Sequence, residues 1–262
     1  MDMHLTGKTA VVTGASRGIG LAVTRVLVAE GARVVAGARE ITPELKALAA
    51  ESEVIAVEVD LTAPDGPAEL VAASAFAYGG LDVLVNNVGA VRPRVDGFLA
   101  VTDDDWAATL AVNFLAAVRT TRAALPHLLE RGAGSIVTVS SVNAFLPDPL
   151  VIDYSAAKAA LSNFCKSLSK QVGPQGIRVN TVSPGPVTTG LWLADDGVAA
   201  TVARATGTTA RDVAEQAASG VPTGRFTHPE EVADLVLFLS SDRAANITGS
   251  DFVIDGGLVN TL

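Results

Sequence analysis

The stretch Thr13-Gly14-Ala15-Ser16-Arg17-Gly18-Ile19-Gly20 decides the fold, because it joins a short apolar run, Lys8–Val12, to a helix-like segment, Ile19–Glu30. Its glycines allow a tight turn and a close approach to the backbone. The free N–H groups and the positive dipole end of the following helix would then face a pyrophosphate. A glycine-rich turn in this position indicates a dinucleotide site, with an ordinary glycine turn as the alternative.

The rest of the chain repeats the order of a strand followed by a helix. The apolar runs are rich in valine and isoleucine, which is typical of parallel strands buried on both faces. Strands are predicted at Lys8–Val12, Arg33–Ala38, Val54–Val59, Leu81–Val85, Ser135–Val139, Arg178–Val182 and Phe252–Ile254. Helices are predicted at Ile19–Glu30, Pro43–Glu51, Pro67–Tyr78, Asp104–Glu130, Asp153–Val172 and Pro229–Ser240, and Pro126 is expected to kink or end its helix.

This alternation predicts right-handed crossovers and an α/β fold, a doubly wound Rossmann-type parallel sheet of about seven strands in a single domain, residues 1–262. Such sheets bind ligands outside the carboxyl ends of their strands. Residues 186–224 interrupt the alternation of strands and helices between the sixth strand and the last long helix. They include Leu191-Trp192-Leu193. We interpret this segment as a partly helical lid over the substrate.

Composition restricts the classes of protein that remain. The 262 residues are 49% hydrophobic and 18% charged, which fits one globular domain. A net charge of −9 argues against nucleic-acid or anionic-membrane partners, which require a basic face. The single cysteine, Cys165, excludes an intrachain disulfide and favours a reducing cytoplasm. We expect no signal peptide, no membrane span and no metal site.

Several motifs together resemble one family. The order Thr-Gly-x-x-x-Gly-Ile-Gly resembles the cofactor motif of the short-chain dehydrogenases/reductases rather than the Gly-x-Gly-x-x-Gly of longer dehydrogenases. Further matches follow along nearly the whole chain: Asp60, Asn86-Asn87-Val88-Gly89, Asn113, Ser141, Tyr154-Ser155-Ala156-Ala157-Lys158, and Pro184-Gly185 with Thr189. Val88 is a departure, since the family usually has alanine there. The pattern is similar to that of 3-oxoacyl-carrier-protein reductases.

The resemblance implies a catalytic set of Asn113, Ser141, Tyr154 and Lys158. Tyr154 and Lys158 are four residues apart and therefore share one face of a helix. A nearby ammonium favours the phenolate, so we expect it to lower the pKa of Tyr154 by ~1–3 units and make it the acid/base. Ser141 would orient the substrate oxygen, with Ser140 as the alternative. Asn113 would hold a helix distortion and a water of a proton relay, or be purely structural.

The glycine motif and the resemblance together imply a set of cofactor-binding residues: Gly14, Ser16, Arg17, Gly18, Ile19, Gly20, Arg39, Asp60, Leu61, Asn87, Gly89, Tyr154, Lys158, Pro184, Gly185, Val187 and Thr189. Asp60-Leu61 would contact adenine, unless Asp60 only caps the next helix. The turn from Pro184 to Thr189 would bind the nicotinamide carboxamide, unless it is only a turn.

The end of the second strand predicts NADP(H) rather than NAD(H). NAD sites carry an acid there, which binds the ribose 2′-hydroxyl. This chain has Ala38 followed by Arg39, and a guanidinium can pair with a 2′-phosphate bidentately. Arg17 would approach the same phosphate from the other side. Glu40 is the competing feature, because a small shift in register would bring it to the ribose.

These features predict an NADP(H)-dependent oxidoreductase that moves hydride between the nicotinamide and a carbonyl or secondary alcohol, such as a ketone or 3-oxoacyl reductase. Phe145, Leu146, Leu150 and residues 191–193 favour a largely apolar small-molecule substrate, or they are ordinary core and lid packing. In the family, the helices Asp104–Glu130 and Asp153–Val172 would form the interface of a homotetramer, which we therefore expect.

Two other interpretations of the same motifs remain open. One is an NAD-dependent secondary-alcohol dehydrogenase. The other is a catalytically silent nucleotide-sensing protein of the same fold, although such proteins commonly lack the tyrosine or the lysine. Enoyl reductases of the superfamily typically separate these two residues more widely, and extended-family epimerases space the glycines differently.

Overall fold

The computed structural model describes residues 2–261, and all seven predicted strands are present in it. The strands are β1 Thr9–Thr13, β2 Arg33–Ala38, β3 Val54–Glu58, β4 Val83–Asn86, β5 Gly134–Val139, β6 Ile177–Pro184 and β7 Asp251–Ile254. They form one sheet in the order β3-β2-β1-β4-β5-β6-β7, and each neighbouring pair runs parallel. The doubly wound parallel sheet predicted from the alternating pattern is confirmed.

Helices cover both faces of this sheet. They are α1 Gly18–Ala29, α2 Pro43–Glu51, α3 Gly66–Tyr78, α4 Asp103–Leu110, α5 Ala116–Arg131, α6 Ile152–Val172, α7 Gly190–Leu193, α8 Val198–Thr206, α9 Ala210–Ser219 and α10 Pro229–Ser240. Alternate residues of a strand point to opposite faces. Val12 therefore packs in the apolar cluster that contains α1 and α10, while Val11 packs in the cluster that contains α3, α5 and α6.

The helix predicted at Asp104–Glu130 is not continuous. A π-helical turn, Ala111–Leu115, separates α4 from α5 and contains the buried Asn113. Of the kink or end expected at Pro126, the end is wrong, since α5 continues past Pro126 to Arg131. Pro126 and Arg122 are both exposed, so the carbonyl that loses its partner at a proline can be hydrated instead.

The residues between β6 and α10 fold as three helices, α7 to α9. Trp192 packs edge-on against Phe226 with the ring centroids 5.1 Å apart, which ties α7 to the segment before α10. The partly helical character expected of residues 186–224 is confirmed, while their action as a lid stays a prediction. Within residues 2–261, no helix is both long enough and apolar enough to cross a bilayer.

Candidate active site

The glycine-rich turn lies between β1 and α1 and is closed too tightly for side chains. Gly14 has a φ of +64° and Gly18 a φ of +53°, in the left-handed region that favours glycine. A Cβ at Gly20 would lie 2.1 Å from the Gly14 carbonyl oxygen, and one at Gly14 would lie 3.1 Å from the Val88 Cα. The turn therefore requires glycine at these positions.

Side chains from β1 and β4 hold this turn in place. The Thr13 hydroxyl accepts hydrogen bonds from the backbone N–H groups of Asn87 at 2.8 Å and Val88 at 3.1 Å. Asn87 Nδ2 donates to the carbonyl oxygens of Thr13 at 3.0 Å and Gly14 at 3.1 Å. Asn86 donates to the hydroxyls of Thr121 and Thr138, which ties β4 to α5 and β5. Asn86 and Asn87 therefore fix the end of β4 against the glycine-rich turn and the neighbouring strand.

The first turn of α1 fits an anionic group. Among residues 2–261, no side chain caps this helix, and its first turn contains no acid, whereas α2 is capped by Thr42. Its free N–H groups and positive dipole end are thus left for a ligand. The turn after β6 reaches the same place, since a Cβ at Gly18 would lie 3.1 Å from Thr189 Cγ2. These features suit the phosphates of a dinucleotide.

The turn after β6 is held by the segment that precedes α10. Gly185 N–H donates to the Ile254 carbonyl at 3.0 Å, and Thr188 N–H donates to the Thr227 carbonyl at 2.9 Å. Val187 is buried and forms an isolated parallel bridge with Thr227. This part of the turn is therefore rigid, and it presents Thr189 to the glycine-rich loop.

Asn113 lies in the π-helical turn, and both the nitrogen and the oxygen of its side-chain amide form hydrogen bonds there. Nδ2 donates to the carbonyl oxygens of Ala90 at 2.8 Å and Thr109 at 3.1 Å, and Oδ1 accepts from the Ala90 N–H at 3.0 Å. A Cβ at Gly89 would meet Asn113 Oδ1 at 3.1 Å and Lys158 Nζ at 3.6 Å. The structure thus brings Asn113, Gly89 and Lys158 together, and Asn113 does hold a helix distortion.

Tyr154 and Lys158 lie in the first two turns of α6, next to the end of β5. Lys158 is buried, its Nζ donates to the Val139 carbonyl at 2.9 Å, and it lies 5.7 Å from the centroid of the Tyr154 ring. The Ser141 hydroxyl donates to Asn143 Oδ1 at 3.2 Å. Ser140 instead pairs with the Ser162 hydroxyl at 2.7 Å, whereas the Ser141 hydroxyl lies beside Tyr154, so the choice of Ser141 over Ser140 stays a prediction that this placement favours.

The expectation that Lys158 lowers the pKa of Tyr154 is wrong for this structure. Burial raises the pKa of Tyr154 to about 12, and the nearby Ser141 hydroxyl offsets only part of that rise. Burial also lowers the pKa of Lys158 to about 8, so its ammonium is still mostly protonated at neutral pH. Tyr154 therefore remains a neutral phenol, a proton donor, near neutral pH.

The buried ammonium of Lys158 should destabilise the protein in a pH-dependent way. Its pKa is about 8 in the folded state against 10.5 for an ordinary lysine, so between these values the unfolded state binds more protons. The free energy of unfolding of the wild type, relative to Lys158→Met, should rise across this window by up to about 3 kcal/mol. Chemical denaturation at several pH values measures it.

Lys166→Met, at an exposed lysine of the same helix, is the matched control and should follow the wild-type pH dependence. If the difference in unfolding free energy between the wild type and Lys158→Met does not change with pH, the burial argument is wrong.

The end of β2 lies beside the glycine-rich turn. Ala38 is the last residue of β2, and Arg39 and Glu40 follow it, both exposed. Arg17 Nη2 is 3.2 Å from Glu40 Oε2, which brings Arg17 of the glycine-rich turn to the end of β2, where Arg39 precedes Glu40. Arg39 also helps to lower the pKa of Asp60, although hydrogen bonds from Thr62 contribute most.

Asp60 follows β3 and accepts hydrogen bonds from the Thr62 N–H at 2.9 Å and the Thr62 hydroxyl at 2.8 Å. These contacts fit the alternative that Asp60 shapes its own turn, and they leave the contact with adenine a prediction. Leu61 is buried and belongs to the sheet core.

Sequence reasoning missed three polar residues at this site. Asn143 bonds to Ser141 through both its side chain and its backbone N–H. Asp153 is buried immediately before Tyr154, and Arg94 pairs with it. The acid in the first turn of a helix was a usable signal for Asp153. For Arg94, a loop residue 59 positions away, the sequence offers none.

Comparisons with known proteins agree with this geometry. A family model described as enoyl-(acyl carrier protein) reductase matches residues 14–259. The 3-oxoacyl-(acyl-carrier-protein) reductase FabG of Thermotoga maritima is 36% identical, over 98% of this chain and all of that protein. The 3-alpha-(or 20-beta)-hydroxysteroid dehydrogenase of Mycobacterium bovis is 36% identical, over 99% of this chain and 92% of that one. The crystal structure of L-sorbose reductase from Gluconobacter frateurii, complexed with NADPH and L-sorbose, is 34% identical with a TM-score of 0.92, and each chain covers the other completely.

Proposed function

Because the chain belongs to the short-chain dehydrogenase/reductase family, we propose that it is an NADP(H)-dependent reductase of ketones or 3-oxoacyl compounds. The observation that carries the proposal is the meeting of Ser141, Tyr154 and Lys158 at the edge of the sheet that also holds the glycine-rich turn. The intact tyrosine and lysine argue against a catalytically silent nucleotide sensor.

The chain's own residues then perform placement and proton transfer. Bound NADPH would supply the hydride, and NADP⁺ would accept it in the reverse direction. The Ser141 hydroxyl exchanges its contact with Asn143 for the substrate oxygen and orients it. Tyr154, a neutral phenol because it is buried, donates the proton to the oxygen of the developing alkoxide. The charge of Lys158 stabilises that alkoxide and the phenolate that remains.

Preference for NADP(H) is supported by the absence of an acid at Ala38, the last residue of β2, and by the two arginines, Arg17 and Arg39, beside it. A guanidinium recognises phosphate through paired N–H groups. The NADPH complex of the similar L-sorbose reductase supports the same choice.

The proposed substrate is a carbonyl compound with a largely apolar body. Phe145, Leu146, Leu191 and Leu193 are each between 41% and 49% exposed around the site, while Trp192 is engaged with Phe226. Relatives named for acyl-carrier, steroid and sugar substrates have similar sequences, and the partly exposed apolar side chains favour an acyl or steroid-like body over a sugar.

A panel of substrates tests the proposal. Wild-type protein is mixed with NADPH and with ketones, 3-oxoacyl thioesters, ketoses and enoyl thioesters, and the loss of NADPH absorbance is followed. Turnover of a ketone or a 3-oxoacyl thioester is expected. Turnover of the enoyl thioester alone would favour the activity that names the matching family model, and the four-residue spacing of Tyr154 and Lys158 argues against it.

We also expect a homotetramer, with the faces of α5 and α6 joined across the interface. Phe114 and Phe164 stack edge to face between these helical segments, with centroids 6.2 Å apart, and both remain partly exposed. Part of the apolar surface of these helices is already buried against the sheet. Light scattering at micromolar concentration should give four times the chain mass of 26.7 kDa, and a monomeric mass would disprove the assembly.

A further inference from the structure

A buried ion pair includes Asp153, the residue that immediately precedes Tyr154 in the chain. The Arg94 guanidinium binds the Asp153 carboxylate through Nε, at 3.1 Å, and through Nη2. Its Nη1 donates to Asp105 Oδ1 at 2.8 Å. The Arg94 side chain is only 9% exposed and that of Asp153 only 2%. We call Arg94, Asp105, Thr109 and Asp153 the Arg94 clamp.

The Arg94 clamp joins the elements that carry the catalytic residues. Thr109 donates through its hydroxyl to Asp153 Oδ2 at 2.7 Å, and its carbonyl accepts from Asn113 Nδ2. Asp153 Oδ1 accepts from the Tyr154 N–H at 3.0 Å. One guanidinium thus links α4, the π-helical turn of Asn113 and the first turn of α6.

The loop that supplies Arg94 is fixed at both ends. Ala90 exchanges two hydrogen bonds with the Asn113 side chain, and Arg94 N–H donates to the Leu150 carbonyl at 2.6 Å. Burial alone would raise the pKa of Asp153, but hydrogen bonds from Arg94 and Thr109 bring it below its ordinary value. The pair is therefore charged at neutral pH, and two N–H groups of the planar guanidinium converge on one carboxylate oxygen, Asp153 Oδ2.

We infer that Arg94 is a positioning residue. Through its contacts with Asp153 and Thr109 it fixes the position of the Tyr154 side chain relative to Asn113. This inference rests on the proposed function, in which Tyr154 moves the proton. A displacement of about 1 Å at a reacting group can lower the rate by about 10²-fold, so a small loss of order in this clamp has a large effect.

Arg94→Lys keeps the charge and removes the planar fork, and it is the first test. We expect kcat to fall about tenfold, measured well below the unfolding midpoint of each variant, with the KM for NADPH unchanged. Arg92→Lys is the matched control, since Arg92 lies in the same loop, reaches Asp105 only at 3.7 Å and is 76% exposed.

The double variant Arg94→Met/Asp153→Asn removes both charges of the pair, and its kcat should stay below that of the wild type. Recovery of wild-type kcat in this double variant, or wild-type kcat in Arg94→Lys, would overturn the inference.

A second readout needs no substrate. The chain has two tyrosines, so protein labelled with 3-fluorotyrosine should show one ¹⁹F resonance for Tyr154 and one for Tyr78, assigned with Tyr154→Phe. Arg94→Lys should shift or broaden the Tyr154 resonance only, and Arg92→Lys should move neither. An unchanged Tyr154 resonance in Arg94→Lys contradicts positioning. Failure of the wild type to reduce any substrate of the panel contradicts the proposed function instead.

Discussion

Replacing Tyr154 with phenylalanine should lower kcat by about 10²–10⁴-fold, the usual loss when a general acid is removed. The ring is retained, so the fold and the binding of NADPH should be preserved. The phenol is partly buried and neutral at neutral pH, and phenylalanine has no proton to donate to the substrate oxygen. Steady-state kinetics with a substrate from the panel, together with an NADPH titration, measure the two parts of this prediction.

Tyr78→Phe is the matched control, because it removes the only other tyrosine hydroxyl of the chain. Tyr78 is the last residue of α3, and the guanidinium carbon of Arg33 lies over its ring, 4.8 Å from the ring centroid. This variant should keep wild-type kcat. A Tyr154→Phe variant that retains more than about a tenth of wild-type kcat would show that another group supplies the proton.

Replacing Arg39 with alanine should cut the preference for NADPH over NADH, as the ratio of kcat/KM values, by about 10-fold or more. A hydrogen bond to a charged group contributes ~1.5–3 kcal/mol, and the 2′-phosphate is the only charge that distinguishes the two cofactors. Ala38→Asp should lower the same ratio, because a carboxylate at the end of β2 repels the phosphate and binds the free 2′-hydroxyl.

Glu40 provides a further arm of this experiment. It now pairs with Arg17 at 3.2 Å, and both side chains are more than 70% exposed. Glu40→Gln should free Arg17 and improve the KM for NADPH by a few-fold at most, since an exposed pair contributes ~0–1 kcal/mol. Arg122→Ala, at an exposed arginine of α5, should leave the cofactor ratio unchanged. A wild type that prefers NADH, or an unchanged ratio in Arg39→Ala, would contradict the proposed role of this strand end.

The positions of the strands along the chain and the glycine-rich turn were predictable because each is a local property. Strands buried on both faces must be apolar at nearly every position, so runs such as Val54–Glu58 stand out from their surroundings. The turn at Gly14 and Gly18 requires positive φ values, which restrict the residue type. The partly helical character of residues 186–224 was likewise predictable from the length and composition of the segment.

The helix between β4 and β5 shows where local reasoning fails. The local pattern marked Pro126 as a kink or an end, and only the family resemblance placed a distortion at Asn113, where the regular helix is in fact interrupted, at Ala111–Leu115. The partner that stabilises this interruption is the backbone of Ala90, 23 residues earlier in the chain. A periodic pattern along one segment contains no information about such a partner.

The sequence by itself determined the positions of the strands, the place of the glycine-rich turn and the presence of Tyr154 and Lys158 on one helix face, since these depend on neighbours within a few residues. Only the tertiary structure decided the protonation of Tyr154 and the anchoring of its helix. Burial is a property of the whole fold, and it raises the pKa of Tyr154 where the adjacent lysine alone predicted a fall. Arg94 reaches Asp153 across 59 residues, because the loop after β4 and the start of α6 meet at one edge of the sheet.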